Sequence, residues 1–302
     1  MSSIIIFGGR TDGYKPEFDL RHAVTEDPRI KRIMPTFPNF PKMTTQTMAL
    51  MHNGKILAIK NFLRGGKECF QLYKGTWKHH SFINKEREYA SAVSTSSASF
   101  IFGGLGSSNT YEYLPKDSNV WVLGKSKIST EFIGYAGFAI ATKSEDQILL
   151  TRSKRIIQFD VNQHVFKDFP LELNISRSGL RCAYIPGTNK IIITGGYDTD
   201  RNSVTNSTEI LDLDKGTITM GSPMNFNRAS HGIGIVTIDD EDTLAVFGGT
   251  NLSLKGDLHD FVEFYNSKTN TWKLSKDIKL PEGTNSFGFL NVKYDCISKL
   301  LK

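Results

Sequence analysis

The sequence predicts an all-β chain, a propeller of six four-stranded antiparallel blades that takes up residues 1–302 as one domain. Three observations carry this. A short apolar strand runs into a glycine pair four times, the copies keep a regular spacing, and the segments between them repeat the same order of short strands. The glycine pairs are Gly8-Gly9 after Ile4-Ile5-Ile6-Phe7, Gly103-Gly104 after Phe100-Ile101-Phe102, Gly195-Gly196 after Ile191-Ile192-Ile193-Thr194, and Gly248-Gly249 after Leu244-Ala245-Val246-Phe247. Self-similarity of this kind is the signature of a repeat architecture.

The spacing supplies the blade count. The first glycines of successive pairs stand 95, 92 and 53 residues apart, and the first two intervals are each twice a repeat of 46 to 48. A degenerate copy is therefore expected inside each long gap. Lys55-Ile56-Leu57-Ala58-Ile59-Lys60 fills the first and Gln147-Ile148-Leu149-Leu150-Thr151 the second, both without glycines. Six copies in 302 residues give a period of about 50, within the range of propeller repeats.

The remaining strands follow in order. A strand of small residues precedes the apolar one, as at Ala90-Ser91-Ala92-Val93, Gly137-Phe138-Ala139-Ile140, Cys182-Ala183-Tyr184-Ile185 and Gly232-Ile233-Gly234-Ile235-Val236. An alternating aromatic or aliphatic strand comes after it, as at Cys69 to Tyr73, Ile156 to Asp160, Glu209 to Leu213 and Phe261 to Tyr265. A short outer strand then starts near Trp77, Trp121 or Trp272. These four strands, A to D from the axis outward, have period-two patterning with turn residues between them, which makes one blade. Radial packing leaves only short, protected edges. The chain begins in a B strand, at Ile4 to Phe7, and Ser286 to Val292 has the length and alternation of the missing A strand. The C-terminus is expected to supply strand A, and the N-terminus strands B to D, of one composite blade that closes the ring.

Composition bounds the function classes. Charged residues are 23% and hydrophobic ones 39%, enough to bury a core. No apolar run approaches the roughly 18 residues that span a bilayer, and the first residues read as a strand rather than a secretion leader, so no membrane association is expected. Cys69, Cys182 and Cys296 are too few and too scattered for a disulfide framework or zinc cluster. They read as small buried hydrophobes in a reducing compartment, and the chain is expected to be cytoplasmic. A net charge of +6 is a modest bias toward acidic partners. Without a block of basic residues it is no nucleic-acid signature.

Leu244 to Gly249, followed by Val262-Glu263-Phe264-Tyr265 and the run to Trp272, resembles a complete kelch repeat, and Arg228-Ala229-Ser230-His231-Gly232 resembles that family's lead-in to the innermost strand. Tyr113 to Trp121 is a looser copy. The alternative WD40 reading is weak, since the chain has no Trp-Asp and no Gly-His dipeptide. The motif residues Gly8, Gly9, Gly103, Gly104, Gly195, Gly196, Gly248, Gly249, Tyr265 and Trp272 are expected to be structural. The glycines let backbone approach closely, and the aromatic residues are large apolar faces with polar tips that need partners.

The B–C loops and D–A connections of such blades emerge on one face. The B–C loops carry Arg10, Arg64, Arg152, Arg155 and Arg201, the D–A connections add Arg177 and Arg228, and Tyr14, Tyr197 and Phe226 are aromatic residues of the same loops. These ten residues are expected to form a basic face that receives an acidic peptide or protein, because a guanidinium fork grips a carboxylate with two hydrogen bonds and aromatic residues anchor interfaces. The resemblance implies substrate recognition of the kind performed by ubiquitin-ligase adaptors. It equally covers actin-associated scaffolds and two enzyme types, copper radical oxidases and sialic-acid epimerases. The seven histidines show no ligand spacing, and no nucleophile elbow or phosphate-binding loop occurs. The expectation is a binding module without catalytic residues, metal or cofactor.

Overall fold

The computed structural model of the chain describes residues 2–7, 10–11, 15–16, 20–22, 48–59, 66–125, 138–251, 258–280, 283 and 288–293. All regular structure in them is β. Five antiparallel sheets of four or five strands stand as blades. The first is Met48–His52, Lys55–Ile59, Glu68–Tyr73 and Thr76–Phe82; the second is Ser91–Ser94, Ala98–Phe102, Tyr111–Pro115 and Val122–Leu123. The third contains Phe138–Ala141, Gln147–Asp160 and Val165–Ser178, extended by Tyr197–Asp198 and Ser203–Val204. The fourth is Arg181–Tyr184, Lys190–Thr194, Thr208–Asp212 and Thr217–Gly221; the fifth is Gly232–Ile238, Glu241–Phe247, Phe261–Asn266 and Thr271–Lys279.

The two ends of the chain meet in a smaller sheet. Gly288–Lys293 pairs antiparallel with Ser2–Phe7, with Ile5 opposite Leu290 and Phe7 opposite Gly288, and Leu20–His22 pairs with the other edge of Ser2–Phe7. The sequence led to six four-stranded blades; the described residues form five blades and this three-stranded sheet. The innermost strands stand side by side around an axis in chain order, and Gly288–Lys293 touches the innermost strands of both the fifth and the first blade.

The core lies between blades, where apolar alternation on each strand meets that of its neighbour. Phe100, Phe102 and Tyr111 of the second blade pack on Ile148, Leu150, Ile157 and Phe159 of the third. Leu57, Ile59 and Cys69 of the first pack on Ile101, Leu114 and Trp121 of the second. Burying each such side chain contributes about 1.5–3 kcal/mol. The polar tips of the motif aromatics are satisfied: Tyr265 Oη donates to Asn270 Oδ1 at 2.9 Å and Trp272 Nε1 to the Ser222 carbonyl at 3.1 Å. Trp121 Nε1 repeats the interblade contact, donating to Ser81 Oγ at 3.2 Å. Cys69 and Cys182 are buried and unpaired as disulfides, and burial pushes the Cys69 thiol up to about 12. Cys296 lies outside the described residues.

The third blade shows what the loss of the glycines does. Residues 147–160 form an unbroken extended stretch, which if straight would span about 45 Å. Yet the Val161 N–H donates to the Asp146 carbonyl at 2.9 Å. The stretch must therefore double back, and the reversal falls at Ser153, whose φ is 53°. The B–C loop is reduced to the tight turn around Arg152, Ser153 and Lys154.

Candidate functional site: the loop face and the channel mouth

The face carrying the B–C loops is built on a repeated buried ion pair. Arg228 Nη2 lies 2.9 Å from Glu263 Oε1, Arg177 Nη2 2.9 Å from Glu209 Oε1, and Arg87 Nε 2.9 Å from Glu112 Oε1, all with fully buried side chains. Each guanidinium also clamps the two ends of its B–C loop. Arg87 Nη1 donates to the Gly103 and Thr110 carbonyls at 2.8 and 2.9 Å, Arg177 Nη1 to those of Gly195 and Ser207 at 2.9 and 3.0 Å, and Arg228 Nη1 to those of Gly248 and Phe261 at 2.7 and 3.3 Å. The other carboxylate oxygen takes the backbone and side-chain N–H groups of an asparagine three residues before the arginine: Asn84 on Glu112, Asn174 on Glu209, Asn225 on Glu263. Burial pulls each guanidinium below its ordinary pKa, and the carboxylate opposes the shift. The glycine pairs are what let these segments close. Gly104, Gly196 and Gly249 hold φ of 96°, 99° and 95°, a region all but closed to residues with a Cβ. A Cβ on Gly195 would stand 2.3 Å from the Arg228 carbonyl oxygen.

Arg177 and Arg228, expected on the partner-binding face, are thus 0% exposed and spent on internal contacts. A guanidinium held by a carboxylate and two carbonyls has no donor fork left to offer a partner. The signal for this was in the sequence: Asn84/Arg87, Asn174/Arg177 and Asn225/Arg228 share one spacing, each ahead of a glutamate on an otherwise apolar strand.

The other expected face residues are dispersed. Arg152 and Arg155 flank the tight turn of the third blade, and Arg155 Nη2 is 2.7 Å from Asp168 Oδ1. Arg201, 78% exposed, stands 3.8 Å from Asp198, and Lys154 lies 3.6 Å from Asp200. The basic surface is therefore partly neutralised by its own aspartates. Tyr197 donates its hydroxyl to Asn202 Oδ1. Phe226 is exposed and its ring centroid lies 4.3 Å from that of Phe261, whose ring also packs at a tilt against His259 at 4.6 Å. Arg10 sits in the short strand Arg10–Thr11. Tyr14 and Arg64, like the motif residues Gly8 and Gly9, lie outside the described residues.

Behind this face runs the central channel, a cavity of about 480 Å³ lined by the innermost strands of all five blades and by Phe289, Leu290 and Asn291. At its mouth on the loop side, Arg181 is the first residue of the fourth blade's innermost strand. His231 is buried next to it, bonded to Thr194 Oγ1 at 2.8 Å. Burial and the Arg181 and Arg228 charges hold His231 well below the ordinary histidine range. Among the described residues no group of three or more His, Cys, Asp or Glu side chains is placed to hold a metal ion, and no helix is long and apolar enough to cross a membrane.

No family model matches the chain, and no curated protein matches it. A solved structure described as "Structure of YjhT" superposes with a TM-score of 0.70 at 13% sequence identity, over 83% of this chain and 88% of that one. At this identity the likeness is one of fold: the chain is a β-propeller.

Proposed function

We propose that the chain is a kelch-type propeller, closed by the N- and C-terminal strands as its sixth blade, that binds a protein or peptide partner on its B–C/D–A face without catalysing a reaction. The observation that carries the reading is the set of three internal Arg–Glu clamps. They fix the loops of the second, fourth and fifth blades from beneath, so the rim meets a partner without a large ordering cost. On that rim Phe226, packed against Phe261, is an aromatic anchor of the type that dominates interfaces. Arg152, Arg155 and Arg201 are cations of the B–C loops of the third and fourth blades, and they favour acidic partner segments. Their aspartate neighbours are solvent-accessible competitors, so charge contributes more to steering and register than to affinity. A cytoplasmic location and a substrate-recognition role in a ubiquitin ligase remain within this proposal.

The test is recovery of the chain from its native cell extract with partners attached, at low salt and at roughly 0.5 M salt, where the screening length is a few ångströms. A Phe226→Ala/Arg201→Glu variant that melts like the wild type should lose the partner, and high salt should weaken the wild-type complex. A partner held equally by the variant, or none at either salt, overturns the reading.

A further inference from the structure

The fourth arginine of this region differs from the three clamps. Arg181 Nη1 donates to the neighbouring Leu180 carbonyl at 2.9 Å, while its Nε is buried without a hydrogen-bond partner. No carboxylate among the described residues pairs with it. Its guanidinium carbon lies 5.7 Å from the Phe138 ring centroid and 6.0 Å from that of Phe289. Of the described residues lining the channel, Arg181 is the one that carries a charge; the wall is otherwise mainly alanine, methionine, isoleucine, valine and phenylalanine with a few hydroxyls.

A buried cation normally has a counter-charge, because stripping its water costs several kcal/mol that only a partner returns. The three clamps obey this, whereas Arg181, with its Nε buried, has no counter-charge among the described residues. Desolvation holds its guanidinium down at about 10, still charged at neutral pH. The space around it is in the volume range of small-molecule pockets, which are mostly apolar with a few placed polar groups.

We infer that the mouth of the central channel is a binding site for a small organic carboxylate, with Arg181 gripping the carboxylate and the ligand's apolar body lying between Phe138 and Phe289. The site stands independently of the partner-binding reading, since it uses the channel and none of the rim residues.

The experiment is calorimetric titration of the full chain with benzoate, phenylacetate and hexanoate, against the neutral analogues benzamide and hexanol and against inorganic phosphate. At least one organic carboxylate should bind, with its neutral analogue and phosphate at least about tenfold weaker, the margin expected for hydrogen bonds to a charged group. Arg181→Met should abolish that preference while leaving the melting temperature unchanged or higher, because it removes a charge that strands no carboxylate among the described residues. Arg181→Lys, which keeps the charge without the fork, should retain part of the affinity. The inference is overturned if none of the three carboxylates binds, if the neutral analogue binds as well as its carboxylate, if phosphate binds as tightly, or if Arg181→Met leaves carboxylate binding intact. Should Arg181→Met fail to fold, Arg181→Lys and the neutral analogues decide the matter on folded protein.

Discussion

The fifth blade and the third blade have the same strand order around the axis but are held by different physics. In both, a side chain at the end of the third strand accepts two backbone N–H groups of the following turn: Asn266 from Lys268 and Thr269, Asp160 from Asn162 and Gln163. Three residues before that cap stands Glu263 in the fifth blade and Ile157 in the third. Four residues before the innermost strand stands Arg228 in the fifth and, in the sequence, Gly134 in the third. The glycine pair of the fifth is replaced by Arg152-Ser153. The first blade goes the same way: Trp77 pairs with Leu72 as Trp272 does with Tyr265, and two residues before these stand Phe70 and Glu263. Arginine, glutamate and glycine pair are thus present together in the second, fourth and fifth blades. In the first and third blades the glutamate and glycine positions hold other residues. The comparison teaches that they are one device: the carboxylate compensates the buried guanidinium, and the glycines let it reach the loop carbonyls. In those two blades an apolar residue, Phe70 or Ile157, stands in the place of the glutamate.

The largest way to break this comparison is to remove the cation. Arg228→Met leaves Glu263 buried and uncompensated, so urea unfolding should show a loss of about 3–5 kcal/mol. A loss below about 1 kcal/mol would mean that the clamp holds nothing the apolar blades lack. A smaller effect is expected from the glycines. Gly249→Ala places a Cβ 2.7 Å from His231 Cβ at a φ of 95°, which should cost about 2–3 kcal/mol. Ser153→Gly in the third blade, at a φ of 53° that side chains tolerate better, should change the unfolding midpoint far less. Equal costs at the two sites would remove the distinction.

The smallest effect is acid sensitivity centred on His231, which lies between the glycine pairs of the fourth and fifth blades. Its folded pKa is depressed, so below about pH 6.5 the unfolded chain binds a proton that the folded chain refuses. Its stabilising contribution is fully present above pH 6.5 and falls as pH drops, by up to about 1.4 kcal/mol per pH unit. Burial lowers His52, His80 and His164 as well, so the whole molecule should weaken toward pH 5.5. In His231→Gln the slope of stability against pH should be shallower than in the wild type. An unchanged slope would place the acid sensitivity elsewhere.

The repeat was legible in the sequence because its strands are defined locally. Alternation, turn residues and glycine pairs each act within a few positions, and the pairing of Ile4 to Phe7 with the C-terminal strand followed from counting strands. Of the six four-stranded blades expected, the described residues form five, with the two chain ends joined in a three-stranded sheet. The site was legible only in part. Phe226 and Arg201 lie exposed where loop counting put them, but Arg177 and Arg228 read as surface cations because charged residues in connections are usually solvated.

By itself, then, the sequence determined the all-β character, the order of strands, the glycine positions and the meeting of the two termini, because these depend on local period and on repetition. Only the tertiary structure decided which arginines are buried with a carboxylate and which one lines the channel. Those properties depend on contacts between residues 25 to 108 positions apart in the chain, where the low dielectric of the interior, rather than residue type, settles whether a charge is compensated.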